Sequence, residues 1–467
     1  MRHVVHIIPW NTSSLDFTIP IFWKNFQKVN SEFRFSVFIL QMNKNSILKN
    51  AQYYQNMSEE WGVSFYDLSD FTFENKTLRN LFKKVYNFSN NDKINLKEPY
   101  LYYVKKNKLW MLQLSLYILR KHSFKEILKT SFQILLKSFS KIIIKIFFSF
   151  EKVIKKLNCS SILLDNRESK DFLGSKSLIN YLAKSQIPVF LVPHGAHYRT
   201  PIGEYCKFLP WQDELPQNFI HWIPFKEGTP WKASKTPRNQ FIYTGYPGFD
   251  DSWLRYLKSR AILTLKSVSK INILYIIRRY VDKNDPIFKN LDYYILDKED
   301  VFNPLIALTN WARKNDLKVS ITVKPHPKNP IEQLNHDLTL VGLDEIKITN
   351  EPIYGTLNNI DFVISIHSTI LFVPILYGIP TIVLNGTLHK KVINRWPVLK
   401  NLYNNLSFFV ENHDDLENAF SYAINGIKNK HIIEKDIEHV YNYFDNNSAQ
   451  IALNSIDFLN GYKKENI

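Results

Sequence analysis

Two stretches, KVSITVKPHPKNP at 318–330 and IDFVISIHSTILFVPILYGIPTIV at 360–383, decide how the chain folds. In the first, 319–323 is a largely β-branched run that fits a buried strand. It stops at Lys324-Pro325-His326-Pro327, where the two prolines end the strand and hold His326 in extended backbone. In the second, 361–365 is another such run, ending at His367-Ser368-Thr369. An apolar segment then continues to Tyr377, and Gly378-Ile379-Pro380 stops it. The order is strand, polar turn, helix start, helix stop. Ligands of a parallel α/β sheet sit at the carboxyl ends of the strands, and exposed N–H groups at a helix start suit an anion. Both polar clusters are therefore expected to face one phosphate site. Pro374 falls inside the expected helix and should remove a backbone bond and kink it.

A chain of 467 residues exceeds one compact core and suits two α/β domains, and its 45% hydrophobic content is ample for folding. The net charge of +17 favours anionic partners, whether nucleic acid, a negatively charged membrane surface or a phosphorylated substrate. Cys159 and Cys206 lack CxxC spacing, so neither a disulfide framework nor a thiolate metal site is implied, and a reducing compartment is the default. The N-terminal MRHVVHIIPW is too short for a signal-peptide core or a membrane span, so a cytoplasmic location is expected.

From the N-terminus, apolar runs predict strands at 3–8, 33–40, 63–68, 160–165, 188–192, 219–224, 241–244 and 271–277. The turn Asn11-Thr12-Ser13-Ser14 follows the first and precedes an amphipathic run through Phe22 and Phe26. This is a Rossmann-like opening without the glycine-rich fingerprint of a dinucleotide loop. Between 75 and 157 the pattern turns helical and basic, with Lys137, Lys141, Lys145, Lys152 and Lys156 forming a stripe. Two readings fit that stripe: a helix packed on the sheet with solvated lysines, or docking on an anionic inner-membrane leaflet. The strand at 160–165 ends in Asp165-Asn166-Arg167-Glu168, and the strand at 188–192 ends in Pro193-His194-Gly195-Ala196-His197. Gly195 admits close backbone approach, and His194 suits proton acceptance from an attacking hydroxyl, although a histidine there can equally bond a neighbouring loop. The motif GYPGFD at 245–250 closes the first half, and the polar stretch 252–270 reads as the linker. Arg278-Arg279 then offer two fixed positive charges that suit a diphosphate or a solvated turn. Helices are expected at 302–315, 414–424 and 432–459, the last returning towards the first domain.

On these residues the chain resembles GT-B glycosyltransferases of bacterial surface-polysaccharide synthesis. The resemblance is to capsular Kdo transferases and polysialyltransferases in particular, with kinship to teichoic-acid glycerophosphotransferases. It rests on KPHP at 324–327, SIHST at 365–369 with the following LYGIP, PHG at 193–195 and GYPGFD at 245–250, while the first ~150 residues carry little of it. It implies an α/β GT-B fold, with two Rossmann-like domains, 1–265 for the acceptor and 266–467 for the donor, facing across a cleft. It also implies a nucleotide-sugar co-substrate, linked to CMP or UDP, and a glycan or lipid-linked acceptor. No nucleic-acid partner is expected, and an anionic membrane surface is a candidate contact. Neither a metal nor another cofactor is expected, since HExxH, paired aspartates and cysteine ligand sets are absent from the sequence.

Residue by residue, the resemblance implies that His326 contacts the donor phosphate and helps the leaving group depart, with Ser368 and Thr369 on the same phosphate. Lys324, His367, Arg278 and Arg279 complete the expected donor side. His194 matches the general base of the glycerophosphotransferase relatives, while sialyl- and polysialyltransferases use an acidic residue of the N-terminal domain, for which Asp165 and Glu168 stand in here. Asn11, Thr12 and His197 are expected on the acceptor side. Transfer of glycerol phosphate from CDP-glycerol is the nearest rival, and a UDP-sugar 2-epimerase a further one that lacks a clear acidic pair. From other classes come a basic nucleic-acid-binding protein, without any recognisable module, and a catalytically inactive assembly scaffold.

Overall fold

In a computed structural model of the full chain, the described residues are 1–8, 15–29, 31–40, 51–71, 149–165, 175–192, 216–223, 237–260, 270–278, 280–281, 296–326, 331–366, 368–384, 407–411, 413–428 and 447–462, with 44, 47, 48, 77, 78, 80, 82 and 329 as isolated positions. The first half is a seven-stranded sheet of β1 (Arg2–Ile8), β2 (Phe33–Ile39), β3 (Ser64–Asp67), β4 (Cys159–Asp165), β5 (Val189–Val192), β6 (Phe219–Ile223) and β7 (Phe241–Tyr243). Its order is β3-β2-β1-β4-β5-β6-β7, with every pairing parallel. Strands β5 and β6 are buried along their whole length, as continuous apolar runs in a parallel sheet covered on both faces should be. Around the sheet lie α1 (Leu15–Phe26), α2 (Gln52–Trp61), α3 (Phe150–Leu157), α4 (Ser175–Ser185) and α5 (Asp251–Arg260).

The second half begins with β8 (Ile271–Ile276), then the short β9 (Tyr280–Val281) and β10 (Leu296–Asp297), which among the described residues pair only with each other. There follow α6 (Lys298–Lys314), β11 (Val319–Lys324), α7 (Ile331–Leu340), β12 (Lys347–Ile348), α8 (Ile353–Thr356) and β13 (Phe362–Ile366). The chain closes with α9 (Phe372–Leu376), β14 (Thr381–Leu384), β15 (Phe408–Val410), α10 (Leu416–Lys428) and α11 (Ser448–Tyr462). The sheet order is β12-β11-β8-β13-β14-β15, again entirely parallel. Two doubly wound parallel sheets make the α/β GT-B architecture that the sequence led us to expect. One apolar cluster runs through both halves, joining Val4, Phe190 and Trp222 to Leu274, Val363 and Val383.

Four expectations change. The run at 15–26 is not amphipathic but buried on nearly every face. Helix α11 and the 3-10 turn Pro247–Phe249 cover the side that an amphipathic helix would expose, leaving Lys24 and Phe26 outermost. The first nine residues of the expected linker, 252–260, lie in α5, where Trp253, Leu254 and Leu257 are buried on one helical face despite the polar composition, and 261–269 lie outside the described residues. After β13 the chain forms a 3-10 turn, Thr369–Leu371, before α9, rather than one continuous helix. Pro374 then falls in the first turn of α9, where a missing N–H leaves no bond unmade, so the irregularity is a change of helix type and not a kink. Of the lysine stripe, the described part is α3, whose Val153, Ile154 and Leu157 are buried while Lys152, Lys155 and Lys156 are exposed. Lys137, Lys141 and Lys145 lie outside the described residues. Among the described residues no helix is long and apolar enough to cross a membrane.

The GYPGFD motif proves architectural. Asp250 is fully buried, and its Oδ1 accepts from Ser252 N at 3.1 Å, Ser252 Oγ at 2.5 Å and Trp253 N at 3.3 Å, capping α5. Its Oδ2 accepts from Ala449 N at 3.1 Å in the first turn of α11, so one carboxylate holds two helix starts 199 residues apart in sequence. We expect Asp250→Ala to lower stability by about 3 kcal/mol, combining two lost caps with orphaned buried N–H groups. Asp250→Asn keeps an acceptor oxygen and should lose less. Urea denaturation of the three proteins checks this, and an unchanged midpoint for the alanine variant would refute the double-cap reading.

Candidate functional site

Strand β8 lies between β11 and β13, and Ile277 N donates to Lys324 O at 3.0 Å, carrying the β8–β11 ladder one residue further. Arg278, the Lys324–His326 turn and Ser368 therefore leave three neighbouring strands at their carboxyl ends. With strands about 4.8 Å apart, the three exits span about 10 Å. Two side chains brace them. Ser365 Oγ donates to Ile276 O at 2.8 Å, tying β13 to β8. Asn329, nearly fully buried, donates from Nδ2 to Arg278 O at 2.9 Å, while its backbone N–H donates to His326 O at 2.8 Å. The order of strands reverses direction between β8 and β13, and in the first sheet between β1 and β4. Such switch points open the crevices in which doubly wound sheets bind ligands.

Across the junction, the residue that matters on the first half is Asp16, in the first turn of α1. Pro20, inside that helix, has no N–H to give the carbonyl of Asp16, four residues earlier. The hydroxyl of Tyr354, on α8 of the second half, donates to that carbonyl at 3.0 Å. Gly248 makes the approach feasible. A Cβ there would lie 2.6 Å from Tyr246 Cε1 and 2.8 Å from the Tyr354 hydroxyl. Glu351, three residues before Tyr354, accepts from Gln52 N at 2.6 Å and Tyr53 N at 3.2 Å. It caps α2, whose own N-cap, Ala51, offers no side-chain bond. Lys324 Nζ in turn donates to the backbone carbonyl of Glu351.

Burial dominates the electrostatics of this junction. Desolvation pushes the Asp16 carboxyl up to about 6, opposed by the charge of Lys324, and among the described residues its carboxylate has no hydrogen-bond or ion-pair partner. Desolvation likewise holds the Lys324 ammonium below its usual range, opposed by Asp16 and Glu351. Because folded Asp16 binds its proton more tightly than the unfolded chain, its contribution to stability is fully present below about pH 4 and is lost as pH rises through about 6.

Of the residues singled out in the sequence, Arg278, Lys324, His326 and Ser368 are brought to one edge. Thr369 starts the 3-10 turn beside them, and its side chain is outside the described set. Asp165 ends β4 opposite Val192 of β5, its side chain also outside that set. Asn11, Thr12, Glu168, His194, His197, Arg279 and His367 lie outside the described residues altogether. Sequence reading missed Asp16, Asn329, Glu351 and Tyr354. Only Asp16 carried a usable signal, as a lone acid in the apolar run LDFTIPIF that follows the first strand. Among the described residues no group of three or more His, Cys, Asp or Glu side chains could hold a metal ion.

No family model matches the sequence, and no curated protein does. Solved structures with a similar course of chain include MnaA of S. aureus with UDP, at 12% identity and a TM-score of 0.49 over 98% of this chain and 96% of that one. A UDP-GlcNAc 2-epimerase of Methanocaldococcus jannaschii in complex with UDP-GlcNAc and UDP has 11% identity and a TM-score of 0.45, over 98% and 100%. The wall teichoic acid polymerase TagF has 9% identity and a TM-score of 0.46, over 100% and 89%. These are likenesses of overall course, and no residue role is taken from them.

The junction makes a specific energetic prediction. Tyr354→Phe should lower stability by about 1–2 kcal/mol by orphaning the Asp16 carbonyl. Pro20→Ala restores an N–H four residues on, so in that background the loss should shrink by at least half. A double-mutant cycle in urea measures the coupling, and strictly additive effects would contradict it.

Proposed function

We propose that this protein transfers a sugar from a nucleotide-activated donor to a hydroxyl of a surface-polysaccharide or lipid-linked glycan acceptor, of the capsule or lipopolysaccharide kind. The observation that carries this reading is the meeting, at one junction, of a carboxyl with a raised pKa and no bonded partner among the described residues, and basic and hydroxyl groups that suit an anion at three strand exits. Asp16 takes the proton from the attacking hydroxyl, the role for which the sequence had offered His194, Asp165 and Glu168. As the new bond forms at the anomeric carbon, the bond from that carbon to the phosphate oxygen breaks. The departing nucleotide gathers negative charge, which on this reading the His326 ring, the Arg278 guanidinium and the Ser368 hydroxyl stabilise, their backbones leaving three neighbouring strands at one edge. Thr369, His367 and Arg279 adjoin these residues in sequence and are assigned to the same donor side from the sequence alone. Lys324 serves differently from the sequence expectation: held on the Glu351 carbonyl, it tunes Asp16 and braces the junction. One carboxylate base and one displacement give inversion as the simplest outcome.

Two measurements test the reading. In a thermal-shift comparison of CMP, CDP, UDP, GDP and ADP, one nucleotide at ~100 times its dissociation constant should stabilise the wild type by about 2.7 kcal/mol. His326→Ala should abolish that gain. No stabilisation of a cooperatively melting wild type by any of the five would sink the donor-site reading. With the donor class known, kcat/KM should rise with pH through about 6 as Asp16 ionises. Asp16→Asn should lower kcat by roughly 10²–10⁴. A variant of near-normal rate removes Asp16 from the chemistry.

A further inference from the structure

We propose that Asn329 is a positioning residue that sets the Arg278 and His326 turns in the geometry that receives the donor phosphate, an inference that rests on the transferase reading above. Asn329 sits three residues beyond His326 and two before the start of α7, and its side chain is almost wholly enclosed. One residue bonds both strand exits at once. Its amide Nδ2 donates to the carbonyl of Arg278 at 2.9 Å, fixing the backbone from which the guanidinium springs. Its main-chain N–H donates to the carbonyl of His326 at 2.8 Å, closing the turn that carries the imidazole.

The bond to Arg278 crosses 51 residues of sequence, so it is a link between two turns and not a local turn contact. Arg278 needs such a link. The β8–β11 ladder reaches only as far as Ile277 N, and β9 starts at Tyr280 in a separate two-stranded ribbon. The Arg278 carbonyl is thus beyond the sheet, and Asn329 supplies the donor that a neighbouring strand would have given. The far side of the same segment is anchored as well, since Tyr280 Oη donates to the buried carboxylate of Asp337 at 2.8 Å and Lys298 Nζ donates to the other oxygen at 2.7 Å. Pre-set turns bind a phosphate without first ordering themselves, which is where a donor of this kind gains affinity.

The rival account is that Asn329 only helps to start α7. A binding cycle separates the two, using as probe whichever of CMP, CDP, UDP, GDP and ADP stabilises the wild type. Asn329→Ala should weaken that nucleotide about tenfold by titration calorimetry. In an Arg278→Ala background, the same substitution should weaken it by less than threefold, because the group it positions is gone. A helix-start role would instead lower the melting temperature and leave the affinity unchanged, or give equal losses in both backgrounds. Either result overturns the proposal. Should Asn329→Ala not melt cooperatively, Asn329→Ser, polar but too short to reach the Arg278 carbonyl, carries the same expectation. If wild-type protein binds none of the five nucleotides, the donor-site reading itself fails and this one with it. If wild type binds and Asn329→Ala binds equally well, only the positioning role fails.

Discussion

The hydrogen bond from the Tyr354 hydroxyl to the Asp16 carbonyl is the contact on which the rest of the molecule turns. It exists because Pro20 leaves a carbonyl inside α1 without its helical donor, and a buried carbonyl without a partner is costly. The second half of the chain supplies the missing donor, and the fit demands that residue 248 have no Cβ. What looks in sequence like a helix defect is a socket. Around it the two halves share one apolar cluster, with Trp253 edge-on to Tyr354 at 5.2 Å and Trp23, Trp61 and Tyr256 packed beside them.

The socket also fixes where the Asp16 carboxylate sits. A carbonyl tied to Tyr354 fixes the first turn of α1, so the carboxylate of the same residue is placed by main chain and not by a partner of its own. An acid left without a bonded partner in a partly desolvated junction is a weaker acid, and Lys324 restrains that weakening without neutralising the group. Had the lysine formed a direct ion pair, the carboxyl would fall towards the ordinary range and be a poorer base near neutral pH. With one of its N–H groups on the Glu351 carbonyl, the ammonium acts on Asp16 through its charge, and no direct ion pair joins the two among the described contacts.

The strands were legible because parallel strands buried on both faces are unbroken apolar runs, and β5, β6, β13 and β14 are fully buried along their length. The placement of His326 was legible for a different reason: a proline on each side leaves the chain little freedom at the strand exit. What sequence could not reveal is pairing at long range. Glu351 bonds α2 across 299 residues and Tyr354 bonds Asp16 across 338, and nothing local in either segment names its partner. Helix α5 was misread for a local reason. Its polar majority resembles a linker, and only the spacing of Trp253, Leu254 and Leu257 shows a face to bury. The GYPGFD motif was read as the close of the first half and as part of a family resemblance, and what its sequence did not reveal is that Asp250 caps two helices.

The two kinds of contact at the junction should answer differently to the solvent. The halves are held mostly by bonds to backbone carbonyls and N–H groups and by packed rings, with the ion pair of Arg2 and Asp457 as an exposed addition. At physiological ionic strength mobile charge is screened beyond about 8 Å, which weakens attraction between a phosphate and partly exposed cations but hardly touches buried hydrogen bonds. On the transferase reading proposed above, added salt would loosen the hold on an anion at the Arg278 guanidinium while leaving the backbone bonds that join the halves intact.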